Sequence, residues 1–251
     1  MADTKVVILA AGAGKRMGAA VPKPLVEVMG KPMIAHLLDR VEKAGIDGKP
    51  IVIVSPDGKA LFEAALGDRV EFAIQEMPKG TGDALRAAEA ACAGAKHVIA
   101  LYGDHPFISA GVLQTLIQLS SENEDAVVML TATIPNYENE YSMFLKWGRI
   151  LRSPENAVVG ICEAKDCSAD ELAITEVNPG IYAFPAAWAF DRLKQVKNEN
   201  ASGEYYIVDL IEIAMKEGKK IVTAPVDPLE VLGINTPEEL KKAEELFAKP
   251  V

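Results

Sequence analysis

The sequence predicts an α/β fold: a mostly parallel central sheet with helices on both faces. Three observations carry that expectation. Short apolar runs alternate with amphipathic stretches through the first half of the chain. One amphipathic stretch, 32–44, is sharply marked as a helix. The first apolar run, Val6 to Ala10, breaks into a glycine-rich basic turn. Strands alternating with helices build a parallel sheet that carries ligands at the strands' carboxyl ends.

The elements follow in order. Strands are expected at 5–10, 51–55, 70–75, 97–102 and 126–134, with helices at 32–44, 58–66, 81–93 and 109–121 between them. In the 32–44 helix Pro32 suits the first turn, and Met33, Ile34, Leu37, Leu38, Val41 and Ala44 make one apolar face. From about 135 to 185 the rhythm changes. Pro135-Asn136-Tyr137 opens a polar run, followed by strand-like pieces at 148–151, 158–163 and 181–184. This is the pattern of a β-rich insertion built over the mouth of the sheet. The tail returns to helix (205–217), strand (220–224), a short strand ending at Ile234, and a last helix (237–248). Thr236-Pro237-Glu238-Glu239 reads as a capping box with proline at the first helical position. With 251 residues and no linker or repeat, 1–251 is expected to be one domain.

Composition narrows the function. A net charge of −10 excludes a duplex-binding surface, which needs a basic face. It also makes the clustered Lys15, Arg16 and Lys23 stand out. Three cysteines (Cys92, Cys162, Cys167) are too few and too irregularly spaced for a disulfide framework or a zinc site. Cys92 reads as a small buried hydrophobe. No run approaches a membrane span, and the N-terminal apolar run is too short for a signal peptide. A cytoplasmic protein, without nucleic-acid or membrane partners, is expected; a homo-oligomer remains compatible with the sequence.

The turn Ala10-Ala11-Gly12-Ala13-Gly14-Lys15-Arg16-Met17, with Pro22-Lys23-Pro24 after it, has the chemistry of a phosphate cradle. Glycines admit anionic oxygens to backbone N–H groups, and the cations offset their charge. It is neither a dinucleotide fingerprint, because the third glycine is Gly18, nor a P-loop, because Arg16 follows Gly14-Lys15. It either binds a nucleotide in a third way or is a tight turn.

Four further elements fall at strand ends. Gln75 precedes Lys79-Gly80-Thr81-Gly82-Asp83, either a backbone surface holding a base or a glycine loop with Thr81 as N-cap. Tyr102-Gly103-Asp104 places a carboxylate where a hard cation binds, although a turn aspartate is as common. Gly233-Ile234-Asn235 exposes an amide before the capping box. Glu163 and Asn178 offer a carboxylate and an amide for sugar hydroxyls or an N-acyl group, or are simply solvated. His36 reads as structural, and His105 as a neighbour of Asp104. There is no metal-ligating Cys/His cluster, nucleophile elbow or nucleophile beside a base. A reaction needing only positioning and charge neutralisation, such as phosphoryl or nucleotidyl transfer, fits these residues.

Taken in order, Leu9-Ala10-Ala11-Gly12 with Arg16-Met17, Pro22-Lys23-Pro24-Leu25, Gln75 with Gly80-Thr81-Gly82, Tyr102-Gly103-Asp104, Trp147-Gly148-Arg149-Ile150, Glu163, Asn178 with Gly180, Gly203-Glu204-Tyr205-Tyr206 and Asn235 resemble the sugar-nucleotide pyrophosphorylases. The resemblance is strongest to the uridylyltransferase half of bacterial bifunctional N-acetylglucosamine-1-phosphate uridylyltransferases, and it spans residue 5 to about 240. It implies a Rossmann-like nucleotidyltransferase fold in which 135–185 is a small sugar-binding subdomain. It also implies the partners UTP and a sugar 1-phosphate, the cofactor Mg²⁺, and a UDP-sugar product. Leu9, Ala10, Ala11, Gly12, Gln75, Gly80 and Thr81 would hold the nucleotide. Arg16 and Lys23 would take its phosphates, and Asp104 and Asn235 the metal, with Tyr102 and Gly103 beside them. Gly148, Glu163 and Asn178 would hold the sugar. Arg16, Lys23 and Asp104 would be the catalytic set.

Three positions depart from the family pattern: Trp147 for Tyr, Pro179 for Thr, and Asp83 for His. The family's acetyl-transferring β-helix of hexapeptide repeats is not in this sequence, so acetyl transfer is not expected of it. The alternatives are a cytidylyltransferase acting on a polyol phosphate and a non-catalytic nucleotide-sugar sensor or partner subunit on the same fold.

Overall fold

A computed structural model describes residues 3–12, 14–200 and 202–247, with the backbone alone for Lys15. Ala13 and the Lys15 side chain of the glycine-rich turn, and the end of the expected last helix at Ala248, lie outside the described residues.

The first half alternates as the hydrophobic pattern requires. In order come β1 (Thr4–Leu9), β2 (Glu27–Val28), β3 (Lys31–Pro32), α1 (Met33–Ala44), β4 (Ile51–Val54), α2 (Lys59–Leu66), β5 (Glu71–Ile74), α3 (Thr81–Arg86), β6 (His97–Tyr102), α4 (Ala110–Glu122) and β7 (Val127–Thr133). The second half adds β8 (Gly148–Arg152), β9 (Val158–Cys162), α5 (Ala169–Leu172), β10 (Glu176–Asn178), β11 (Tyr182–Pro185), α6 (Ala186–Leu193), α7 (Asp209–Lys216), β12 (Ile221–Val226) and α8 (Pro237–Phe247).

Among the described residues, all strands but the β2–β3 pair join one ten-stranded sheet in the order β5-β4-β1-β6-β11-β7-β10-β8-β9, with β12 on β7. β5, β4, β1 and β6 are mutually parallel, and β12 is parallel to β7; β11 and β10 run against their neighbours. β9 runs against β8 as well, yet seven of the ten strands point the same way, and in that sense the sheet is mostly parallel. Alternation along β1 sends Val6 and Ile8 into a core with Leu37 and Val41 of α1, Phe62 of α2 and Leu113 of α4. Val7 and Leu9 enter a second core with Leu85 of α3, Phe190 of α6 and Leu210 of α7. Helices thus cover both faces, because a strand buried on both sides needs apolar partners on both.

β1 lies between β4 and β6, so the chain leaves it in opposite directions along the sheet. Such a reversal opens a crevice beyond the strands' carboxyl ends. Leu9 and Tyr102 are paired at that end, where the Gly103 N–H donates to the Leu9 carbonyl at 3.1 Å.

Four differences from the sequence expectation have physical causes. The strands expected as a β-rich layer over the mouth are hydrogen-bonded into the main sheet: β10 on the distal half of β7, then β8 and β9. The 81–93 helix stops at Arg86 and continues as i to i+3 turns such as Ala88 to Leu85 and Ala95 to Cys92. The helix expected from 205 begins only at Asp209, because Tyr205 and Ile207 spend backbone groups elsewhere. Tyr205 N–H donates to Lys79 O at 2.8 Å and Tyr205 O accepts from Gly82 N–H at 2.8 Å. Ile207 N–H donates to the Thr81 hydroxyl at 3.0 Å. The strand expected to end at Ile234 is an extended segment after a 3₁₀ turn (Pro228–Val231); its Ile234 N–H donates to Asp104 O at 3.1 Å.

Candidate active site

Two cavities open at the carboxyl end of the sheet and share one wall. The first, about 540 Å³, is lined by Leu9, Ala10, Ala11, Gly12, Gln75, Gly80, Ala84 and Glu204. The second, about 460 Å³, is lined by His105, Trp147, Gly148, Glu163, Lys165, Asn178, Tyr182, Tyr206 and Asn235. Lys23, Thr81, Tyr102 and Asp104 line both. The junction thus holds one cation and one carboxylate at the meeting point of two ligand-sized spaces.

The first lobe is made largely of small residues and backbone. Ala10 to Gly12 continue β1 past Leu9, its last sheet-paired residue, and a Cβ at Gly12 would meet nothing within 4 Å. Gly80 has φ +106°, a conformation that L side chains rarely adopt, and a Cβ there would meet the Tyr205 nitrogen at 2.8 Å. The Gly80–Gly82 turn and the Gly203–Tyr206 run are therefore one packed unit, clasped by the three backbone bonds of Tyr205 and Ile207. Thr81 does not cap its helix; its hydroxyl is the acceptor that fixes Ile207. Buried Gln75 donates to Gly80 O and to Asp83 Oδ2, both at 3.0 Å. Asp83, the departure from the family pattern, is what orients the Gln75 amide, and it is also paired with Arg86.

The junction is electrostatic. Lys23 Nζ donates to Asp104 Oδ2 and, at 3.0 Å, to Asn235 Oδ1. Arg16, exposed and lining neither cavity, donates to the same Asn235 oxygen at 3.1 Å. Asn235 is held in place by its own N–H, which donates to the Glu239 carboxylate at 2.6 Å. The capping box is thus divided. Glu239 N–H donates to Thr236 Oγ1 at 3.2 Å as expected, but the reciprocal bond goes to Asn235, one residue early. Burial pushes the Asp104 carboxyl up, but the Lys23 ammonium outweighs it and holds the group below the usual carboxylate range. Asp104 is an anion here.

A carboxylate oxygen and an amide oxygen converging on one ammonium form a hard-oxygen donor pair around a positive charge. That donor chemistry fits Mg²⁺. Asp104 and Asn235 are the residues that would hold it.

His105 lies against the junction, its Nε2 3.8 Å from Asp104 Oδ1 and its ring stacked 6.3 Å from that of Trp147. Its Nδ1 is buried without a hydrogen-bond partner. Burial, opposed by the Asp104 charge, lowers its pKa and favours the neutral ring.

The second lobe is built from side chains. Gly180, at φ +76°, leaves room for the Tyr102 ring, which a Cβ would approach to 2.9 Å. Asn178 donates from Nδ2 to the Tyr182 hydroxyl at 2.7 Å, while its Oδ1 accepts from Gly180 N–H at 3.0 Å. Burial raises the Glu163 carboxyl, with Lys165 opposing. Trp147 joins His105 at one end of the cavity, and Arg149 supports it from behind. The buried Arg149 guanidinium donates to the carbonyls of Trp147, Leu145 and Leu172 and covers the Tyr137 ring at 4.5 Å.

The sequence-derived residues therefore collect in one cleft, with two exceptions. Gly103 lines neither cavity; a Cβ there would meet Pro24 at 3.0 Å, so its place is close packing of β6 on the Lys23 segment. Arg16 reaches the cleft only through Asn235. Sequence reasoning missed Lys165, Tyr182, Ile207 and Val208 in the second lobe. Ordinary core and surface residues carry no motif, and only Tyr206 sat in a recognisable run.

A backbone-lined cavity joined through a Lys–Asp–Asn junction to a second, polar cavity is the layout of an NTP transferase. Residues 6–200 match the MobA-like NTP transferase domain, and the chain belongs to that family. It is 39% identical over 246 residues to the bifunctional protein GlmU of Exiguobacterium sp., and 38% identical over 241 residues to that of Caldicellulosiruptor saccharolyticus. The matches cover 97% and 95% of this chain but 52% and 50% of those proteins, so the chain spans about half their length. Among solved structures, a putative glucose-1-phosphate thymidylyltransferase from Bacillus anthracis, in complex with a sucrose, superposes with a TM-score of 0.78. That match covers 99% of this chain and 96% of the other at 19% identity. A CMP:2-keto-3-deoxy-manno-octonic acid synthetase complexed with CTP gives 0.71 over 98% of each chain at 22% identity. These structural likenesses establish the shared fold. Among the described residues, no helix is long and apolar enough to cross a membrane.

Proposed function

We propose that the protein forms a UDP-sugar, UDP-N-acetylglucosamine or UDP-glucose, and pyrophosphate from UTP and a sugar 1-phosphate, with Mg²⁺. The observation that carries this reading is the pair of cavities meeting at Lys23 and Asp104. One lobe presents backbone to a nucleotide, the other presents Glu163 and Asn178 to a sugar, and the charged groups stand where two polyanions would meet. The motif resemblance to the uridylyltransferase half of N-acetylglucosamine-1-phosphate uridylyltransferases supports uridine and an amino-sugar acceptor.

The acceptor phosphate is already anionic near neutral pH, so an in-line attack needs no general base. One of its oxygens forms a bond to the α-phosphorus of UTP as the bond from that phosphorus to the bridging oxygen breaks, and pyrophosphate leaves with the electron pair. Lys23, at the shared wall, offsets the repulsion between the two anions. Arg16 adds charge from the rim. The Gly80–Gly82 and Leu9–Gly12 segments fix the nucleotide so that the α-phosphorus faces the second lobe. Mg²⁺ held by Asp104 and Asn235 would supply Lewis-acid neutralisation of phosphate charge. A cytoplasmic setting belongs to the same reading.

The test is pyrophosphate release by the purified chain with Mg²⁺, offering UTP, CTP, dTTP and ATP against N-acetylglucosamine, glucose and galactose 1-phosphates. Methylerythritol phosphate is the off-class control. Turnover with UTP and one sugar phosphate is expected. Turnover only with CTP and the polyol phosphate, or none from protein that binds UTP, overturns the reading.

A further inference from the structure

The number and overall spacing of the cysteines argued against a zinc site, yet Cys162 and Cys167 flank one loop and the fold adds a carboxylate to them. β9 ends at Cys162, the chain loops through Glu163, Lys165 and Cys167, and α5 follows with Glu171. The two Sγ atoms and a Glu171 carboxylate oxygen lie within 4.8 Å of one another, all on half-buried residues. Cys162 Sγ is 3.9 Å from Glu171 Oε2. Tetrahedral zinc, with bonds of about 2.3 Å to sulfur and 2.0–2.2 Å to oxygen, holds its ligands roughly 3.5–4 Å apart. The cluster is therefore close to the size such an ion requires without movement of the backbone.

Two further features suit a ligand set. Four residues separate Cys162 from Cys167, within the interval common to paired zinc cysteines. The Glu171 carboxylate is oriented beforehand by the Ser168 N–H at 2.7 Å and hydroxyl at 2.8 Å, as outer hydrogen bonds orient metal ligands. Soft sulfur donors with one carboxylate select a thiophilic cation rather than Mg²⁺.

We propose that Cys162, Cys167 and Glu171 bind one thiophilic divalent cation, Zn²⁺, distinct from the Asp104–Asn235 pair. The two thiols give up their protons to solvent and become thiolate ligands, and water completes the tetrahedron. The bound ion closes the loop whose Glu163 and Lys165 line the acceptor cavity, so it acts as a structural clamp behind the sugar lobe. Burial, the Cys167 thiol and the Glu171 and Asp166 carboxylates push the Cys162 thiol up to about 12. A bound dication relieves the same crowding.

The experiment is Co²⁺ titration of the reduced 251-residue chain under excess Mg²⁺, read by absorption spectroscopy. One equivalent should give a thiolate-to-cobalt charge-transfer band and the intense visible bands of a tetrahedral site, both bleached by one equivalent of Zn²⁺. Cys92→Ser should keep the spectrum, Glu171→Gln should weaken binding at least about tenfold, and Cys162→Ser with Cys167→Ser should abolish it. Should the double variant fail to fold, Cys167→Ser alone should still lose about half the charge-transfer intensity, one of two thiolates. No thiolate band from the wild type, or a band that survives loss of both thiols, overturns the proposal. A Cys162–Cys167 disulfide formed in place of any metal complex overturns it as well.

Discussion

The two lobes of the cleft are made in opposite ways. The lobe proposed for the nucleotide is largely backbone: Ala10 to Gly12 run off the end of β1, and Gly80 bends past Tyr205. The lobe proposed for the acceptor is a set of side chains from separate strands and loops, with Tyr102, Trp147, Glu163, Asn178 and Tyr182 meeting across it. A backbone lobe constrains which residues may stand there, because only small residues leave its N–H groups accessible. A side-chain lobe can exchange its members without disturbing the sheet. The difference predicts that changes in the first lobe affect folding and nucleotide binding together, whereas changes in the second redirect the acceptor.

The largest effect is expected where the lobes meet. Lys23→Ala and Asp104→Ala should each lower kcat on the order of 10²–10³, the usual cost of removing a catalytic electrostatic group. Their circular dichroism should match wild type. Near-normal turnover in either variant would remove that residue from the catalytic set.

Next come two glycines that split the backbone lobe. Gly80→Ala must be accommodated at φ +106° against the Tyr205 backbone, and should cost about 1–3 kcal/mol in chemical denaturation. Gly12→Ala meets nothing within 4 Å and should leave stability unchanged, raising only the KM for the nucleotide. Equal stabilities for the two variants would break the account of the Gly80 turn.

In the acceptor lobe, Glu163→Gln should raise the KM for the sugar phosphate several-fold while the nucleotide KM holds. Steady-state kinetics with each substrate varied in turn separates the two. A matching rise in the nucleotide KM would mean that the lobes are not independent.

The smallest effect concerns Asp209, at the start of α7 behind the acceptor lobe. Burial, with Glu212 adding repulsion, raises its carboxyl to about 6. A carboxyl raised above its unfolded value binds more protons when folded, so its contribution is intact below about pH 4 and is lost as pH rises through about 6. Asp209→Asn should therefore stabilise the protein near neutral pH and have little effect near about pH 4. The group is partly exposed and sits at a helix N-terminus that favours an anion, so the gain is expected to be about 1 kcal/mol or less. Thermal melts at the two pH values give the sign.

The same contrast explains what the sequence disclosed. Strands such as 97–102 and the face of α1 were legible because burial on both sides leaves apolar runs and helical periodicity. Glycines at strand ends were legible because geometry admits little else there. Asp104 and Asn235, remote in sequence, were found through the family resemblance; the Lys23 bonds that join them belong to the tertiary fold. Two features left no trace. The start of the expected 205–217 helix is consumed by Lys79, Gly82 and Thr81, more than a hundred residues away. Lys165 and Tyr182 resemble any surface lysine or core tyrosine until the loop and sheet close. In the Cys162–Cys167–Glu171 cluster, the cysteine interval is visible in the sequence, but the approach of Glu171 to both thiols belongs to the tertiary fold.

The central claim is that Lys23 and Asp104 form the point at which nucleotide and acceptor react. Its most direct measurement is single-turnover transfer from α-labelled UTP to N-acetylglucosamine 1-phosphate, comparing wild type with Asp104→Ala at saturating substrates. The account predicts UDP-sugar formation by the wild type and a rate lower on the order of 10²–10³ in the variant, with UTP still bound. Transfer at an unchanged rate in Asp104→Ala would contradict it and place the chemistry elsewhere.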